Sequence, residues 1–198
     1  MAFNFLRKST ADVEAATSVS PINELEGTYT LDTSHSSIGF VARHAMVTKV
    51  RGTFGDFVGT ATTGKNLQDA KIEVTIQTAS VDTKSADRDG HLKSADFFDV
   101  EQYPTITFVS TDIAAQGEVL RVTGDLTIKG ISKPVTIDFE YAGSALDPFG
   151  NTRVGLEGSV DVQRKEWGLE WNAALETGGV LVSEKIKLEF EISAIKNA

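Results

Sequence analysis

The stretch 118–129, EVLRVTGDLTIK, sets Leu120, Val122, Leu126 and Ile128 on one side of an extended chain and Arg121, Thr123, Asp125, Thr127 and Lys129 on the other. Successive side chains on a strand point to opposite faces, so this alternation predicts a strand with one buried and one wet face. Turn residues bracket it, with Gln116-Gly117 before and Lys129-Gly130 after, as hairpins require.

The same period of two recurs on either side. Ile72, Val74 and Ile76 alternate with Lys71, Glu73, Thr75 and Gln77, and Val135, Ile137, Phe139 and Tyr141 alternate with Thr136, Asp138 and Glu140. Near the end, Ile186, Leu188, Phe190 and Ile192 alternate with Lys185, Lys187, Glu189 and Glu191. Parallel strands, covered on both faces, lose such alternation, so the sheet is expected to be antiparallel. Eight strands are predicted, near 28–43, 47–61, 69–81, 105–113, 118–129, 133–142, 152–163 and 180–194. Several exceed ten residues, or roughly 30 Å at the usual rise per residue. Long antiparallel strands with one apolar face find a stable arrangement by closing into a barrel, which removes both edges; a sandwich is the alternative. Residues 84–100, KSADRDGHLKSADFFDV, break the alternation and predict a short helical insertion between the third and fourth strands.

The 198 residues, 40% hydrophobic and 24% charged, suit one all-β domain with a short appendage. No cysteine is present, which excludes thiol catalysis, cysteine-held zinc and iron–sulfur clusters. A formal net charge of −9, with no basic run, argues against nucleic acid as a partner. Residues 1–26 read as a flexible arm, with one helical turn near 11–16 or a short amphipathic anchor on Phe3, Phe5, Leu6, Arg7 and Lys8 as variants. Residues 27–198 form the barrel domain. The apolar residues of the arm precede its basic ones, unlike a secretory signal, and no run approaches the roughly 18 apolar residues of a membrane span. The expectation is a cytoplasmic protein without stable membrane insertion.

Chemistry-bearing motifs are scarce. Neither His-x-x-x-His nor His-Glu-x-x-His links His35, His44 and His91, so no metal is expected. Ser36 lies beside His35, but neighbours on a strand point to opposite faces and no nucleophile elbow surrounds it. Asp96 and Asp99 form the sort of carboxylate pair that an acidic chain contains by chance. No Walker loop or dinucleotide fingerprint calls for a cofactor. Catalysis has no visible machinery, and the chain reads as a non-enzyme.

A barrel of eight strands is either filled by its own side chains or holds a small ligand. Candidate inward residues include Ile38, Phe40, Phe54, Phe108, Val154, Leu156, Val160 and Phe190, while Gly39, Gly52, Gly124, Gly155 and Gly158 allow bends and close approach. Arginine suits bidentate recognition of an anionic head group, and histidine adds a donor. Arg88 with His91, and Arg164 with Trp167, are therefore candidates beside a cavity.

Six segments in order resemble the YceI-like family of polyisoprenoid-binding proteins: YTLDTSHSSIGFVARH (29–44), VRGTFGDF (50–57), DRDGHLKSADFF (87–98), YPTITFVS (103–110), VTGDLTIKGISKP (122–134) and QRKEWGLEWN (163–172). The resemblance covers about residues 27–195. It implies a lipocalin-like barrel of eight antiparallel strands, an elongated cavity and a polyisoprenoid or similar long-chain amphipathic lipid as partner. It also implies storage, transport or sequestration of that lipid and a homodimer. On this basis the polar end is expected at His35, His44, Arg88, His91 and Arg164. The lining is expected from Phe40, Phe54, Phe97, Phe98, Phe108, Trp167 and Phe190. An enzyme, isomerase or hydrolase, on the same scaffold and a filled barrel serving as an interaction module are the competing expectations.

Overall fold

The computed structural model describes residues 20–176 and 178–198. Eleven β segments make one sheet, and it closes. The first three long strands are each interrupted once: β1 (Gly27–Leu31) runs on into β2 (Ser37–His44), β3 (Thr48–Phe54) into β4 (Phe57–Thr63), and β5 (Lys71–Gln77) into β6 (Val81–Asp82). The remaining five are continuous: β7 (Thr105–Gln116), β8 (Val119–Ile128), β9 (Ile131–Leu146), β10 (Thr152–Gln163) and β11 (Lys185–Lys196). Counted as continuous paths, they form an eight-stranded antiparallel barrel in up-and-down order. It closes where β11 pairs with both β1 and β2.

Local sequence explains the turns. Ile128 pairs with Ile131 across Lys129-Gly130, whose φ values of +52° and +74° give the two-residue turn whose twist matches flanking strands. The break between β1 and β2 takes residues 32–36 out of the regular ladder with β11 as a bulge tied to Ser193, which accepts from the Asp32 N–H and donates its own N–H to the Ser36 hydroxyl; that hydroxyl in turn donates to the Ser193 carbonyl. Asp32 is held there by Arg153, which also donates from Nε to Asp147 at 2.8 Å. Hydrogen bonds from Arg153 and Ser34 hold the Asp32 carboxyl well below the usual carboxylate range.

The insertion contains α1 (Ala86–Lys93), between β6 and β7. Eight residues including a glycine make a marginal helix. Tertiary clips hold it. Asp89 accepts from the Thr83 N–H at 2.8 Å and from its hydroxyl at 2.6 Å, while Arg88 donates to the Thr83 hydroxyl and carbonyl, both at 2.7 Å. Asp87 and Asp89 also suit the positive end of the helix dipole.

Residues 1–19, with the helical turn and the anchor considered above, lie outside the described residues. Residues 20–26, read from sequence as part of the arm, pack on the barrel instead. Pro21–Glu24 form a single 3-10 turn whose N-cap is Ser20, and Ile22 is 0% exposed against Leu120 and Val122. Two aliphatic side chains in a polar stretch, Ile22 and Leu25, carry no periodic signal, yet both join this cluster.

Candidate ligand cavity

Inside the barrel lies a cavity of about 250 Å³. Its lining runs from Tyr29, Ile72 and Leu120 near the Ile22 end to Phe97, Trp167 and Leu169 at the α1 end, so it follows the barrel's length. Arg164 is the one charged side chain among the described lining residues.

Cross-strand packing keeps this space open. A Cβ on Gly52 would sit 2.4 Å from the Phe40 ring, and one on Gly158 would sit 2.6 Å from the Phe139 ring. Each ring lies over the glycine of the paired strand, against the wall, because no side chain occupies that place.

The α1 end is closed by aromatics drawn from separate segments. Phe98 meets Phe54 edge-on with ring centroids 5.7 Å apart, and Phe97 lies 5.5 Å from Trp171. Trp167, on the short turn Arg164–Trp167 after β10, is 2% exposed and donates from its indole to the Leu126 carbonyl at 3.0 Å.

Arg164 is 5% exposed and sits 6.0 Å from the Phe97 ring centre. Its Nε donates to the Ser183 carbonyl at 3.0 Å, and its Nη1 donates to the Leu169 carbonyl. Its Nη2 is buried with no acceptor among the described residues. A donor left in that state costs about 1–3 kcal/mol. Burial pushes the pKa of Arg164 down, and the charge of Glu184 opposes part of that shift.

Of the residues singled out from sequence, Phe40, Phe54, Phe97, Phe98, Phe108, Arg164, Trp167 and Phe190 line the cavity. The other four do not. His35 is exposed in the 32–36 bulge, hydrogen-bonded to Asp32 at 2.8 Å. His44 ends β2 on the surface. Arg88 is exposed and gives two hydrogen bonds, from Nε and Nη2, to Thr83. His91 is half-buried on α1, 4.5 Å from the Trp171 ring and 2.8 Å from an Asp96 oxygen. Leu169 lines the cavity, and Trp171 packs against its aromatic wall; both stand in the matched segment 163–172 but follow no alternating pattern. Most of the wall is aliphatic, as the strand alternation indicates. Of the inward candidates, Val154 and Val160 pack into the barrel wall without lining the cavity.

Among the described residues no three His, Asp or Glu side chains gather to hold a metal ion, and no helix is long and apolar enough to cross a membrane.

A closed antiparallel barrel around an apolar hollow places the chain in the lipocalin-like class of folds. The description "YceI-like domain" matches residues 29–194, and the protein belongs to that family. A relative from Staphylococcus aureus is 38% identical over 163 residues, covering 81% of this chain and 93% of its own. Protein YceI of Escherichia coli is 42% identical over 137 residues, covering 69% of this chain and 72% of its own. Among solved structures, Burkholderia cenocepacia BcnA superposes with a TM-score of 0.72 at 25% identity, over 82% of this chain and 98% of that one. A polyisoprenoid binding domain from Saccharophagus degradans, implicated in plant cell wall breakdown, gives a TM-score of 0.67 over 85% of this chain and 98% of that one. At 16% identity, that likeness shows the fold alone. None of these proteins is named as an enzyme.

Proposed function

We propose that this protein binds an amphipathic lipid with a long, isoprenoid-type tail inside the barrel, for storage, transport or sequestration without chemical change. The observation that carries this reading is the apolar cavity that follows the barrel's length. Apolar surface removed from water contributes about 25 cal/mol per Å², so a hydrocarbon tail binds there by burial alone, less the cost of ordering a flexible chain. The tail contacts fall to Phe40, Phe54, Phe97, Phe98, Phe108, Trp167 and Phe190. Family membership and the Saccharophagus domain's described ligand support the same choice. At about 250 Å³ the enclosed space lies just below the roughly 300–1,000 Å³ of small-molecule sites. It therefore suits one slender chain, and a long polyisoprenoid requires the barrel to widen.

Native mass spectrometry of freshly isolated protein, followed by solvent extraction, tests this reading. A bound lipid mass is expected. Protein that carries no lipid and takes up no added isoprenoid would overturn it. The homodimer and the cytoplasmic location belong to the same proposal, and light scattering and cell fractionation test them.

A further inference from the structure

Arg164 is chemically out of place in its surroundings. Elsewhere in the barrel, Arg121 grips both oxygens of Asp138 at 2.7 and 2.8 Å, and Arg153 lies between Asp32 and Asp147. Those arginines are partly exposed, and each meets carboxylates. Arg164 is far more buried, and its hydrogen bonds reach only two neutral carbonyls. The nearby carboxylate of Glu184 is paired with Lys165. Among the described residues Nη2 has no acceptor; neighbouring atoms cover it, and the side chain that carries it lines the cavity, so the widening that admits a long tail has also to uncover this donor.

A guanidinium cannot shed its charge under ordinary conditions, so relief has to come from an acceptor, best an anionic one. Two of its nitrogens are engaged with the Ser183 and Leu169 carbonyls, which fixes the plane of the group and leaves the third in a set position. Apart from Tyr29 and Thr60, the remaining lining side chains offer hydrocarbon. Resting on the lipid reading above, we propose that the ligand's polar end is an oxyanion, a carboxylate or a phosphate, that enters the barrel and takes the free Nη2 position of Arg164, head buried at the α1 end and tail running toward Ile22. A head group left in solvent at a cavity mouth would leave this donor unpaired. His35, His44 and Arg88, outside the cavity, then take no part in head-group binding.

The test compares three probes with one 15-carbon tail: farnesoic acid, farnesyl monophosphate and farnesol. Affinities are measured by calorimetry on the intact protein. A hydrogen bond to a charged partner predicts that at least one anionic probe binds about tenfold or more tighter than the alcohol. Whichever of acid and phosphate binds tighter identifies the source of the oxyanion. In Arg164→Met that preference collapses toward unity. Should loss of the Ser183 and Leu169 contacts unfold this variant, the wild type still decides: lowering the pH through the ligand's own carboxyl pKa weakens farnesoic acid and leaves farnesol unmoved. Equal binding of all three probes, at every pH, overturns the inference and leaves Arg164 as a clip for two loops. If none of the three binds, the lipid reading falls, and this inference with it.

Discussion

At the Ile22 end a small aliphatic group, Ile22 on a four-residue turn with Leu25 and Leu67 beside it, closes on Leu120 and Val122; at the α1 end the closure is an aromatic cluster assembled from β3, the turn after α1 and the segment after β10. The first closure hangs from the chain ahead of β1, and its ties include the Ser20 hydroxyl, which caps the turn and donates to the Gly117 carbonyl, and the Leu25 N–H bonded to the Ile22 carbonyl at 3.1 Å. The second is pinned in several places, including Lys129 donating to the Ala95 carbonyl at 2.8 Å and the Trp167 indole on Leu126. Elements with few buried contacts open locally at low cost, and elements embedded in a shared core open only with the whole molecule. The barrel therefore has a light closure and a heavy one, and its buried cation lies at the heavy one.

The contrast has measurable consequences. Trp167→Ala removes a large buried ring and its hydrogen bond, and is expected to lower stability by about 3–5 kcal/mol in urea unfolding. Ile22→Ala is expected to cost less, about 2 kcal/mol at the bottom of the usual range, because the turn that carries it is free to settle into the space. A cost equal to that of Trp167→Ala would erase the distinction between the ends. Hydrogen exchange gives an independent measure: the Leu25 amide should exchange well before that of Phe98, which donates to the Leu92 carbonyl at 3.0 Å.

Gly52→Ala forces the Phe40 ring off the wall and into the lumen, costing about 1–3 kcal/mol of overpacking and reducing lipid uptake. The acid limb of stability tests the bulge beside β11. Asp32, lowered first by Arg153, and Asp147, lowered first by the Asn151 backbone N–H, both titrate below their ordinary range. Their contribution is fully present above about pH 4, the unfolded carboxylate range, and is lost as pH falls through the folded values. Arg153→Met should flatten this limb through Asp32 and leave part of the Asp147 contribution in place; an unchanged acid profile would show the network to be inert. The smallest effect is expected at Phe149, 88% exposed, where Phe149→Ser should alter stability by less than about 0.5 kcal/mol.

Much of the fold was legible because strand alternation is a local property. The runs around Leu120, Ile137 and Leu188 announced themselves, and the Lys129-Gly130 turn was readable from two residues. The breaks that divide the first three strands at 32–36, 55–56 and 78–80 were not legible, because apolar residues continue on both sides of each corner. The aromatic lining was found by chemistry and by matching segments. The polar side chains differ: His35 and Arg88 bond Asp32 and Thr83, three and five residues away, and of the five polar candidates only Arg164 reaches the interior.

By its own pattern, then, the chain determines an antiparallel sheet of eight long strands, the acidic exterior and the stock of aromatic and basic side chains. Whether that sheet encloses a hollow is decided in three dimensions. The answer depends on which ring meets which glycine across paired strands, and on which of five polar residues is left inside without a partner. Residues far apart in the chain create both conditions when the register locks, so neither is written in any local stretch.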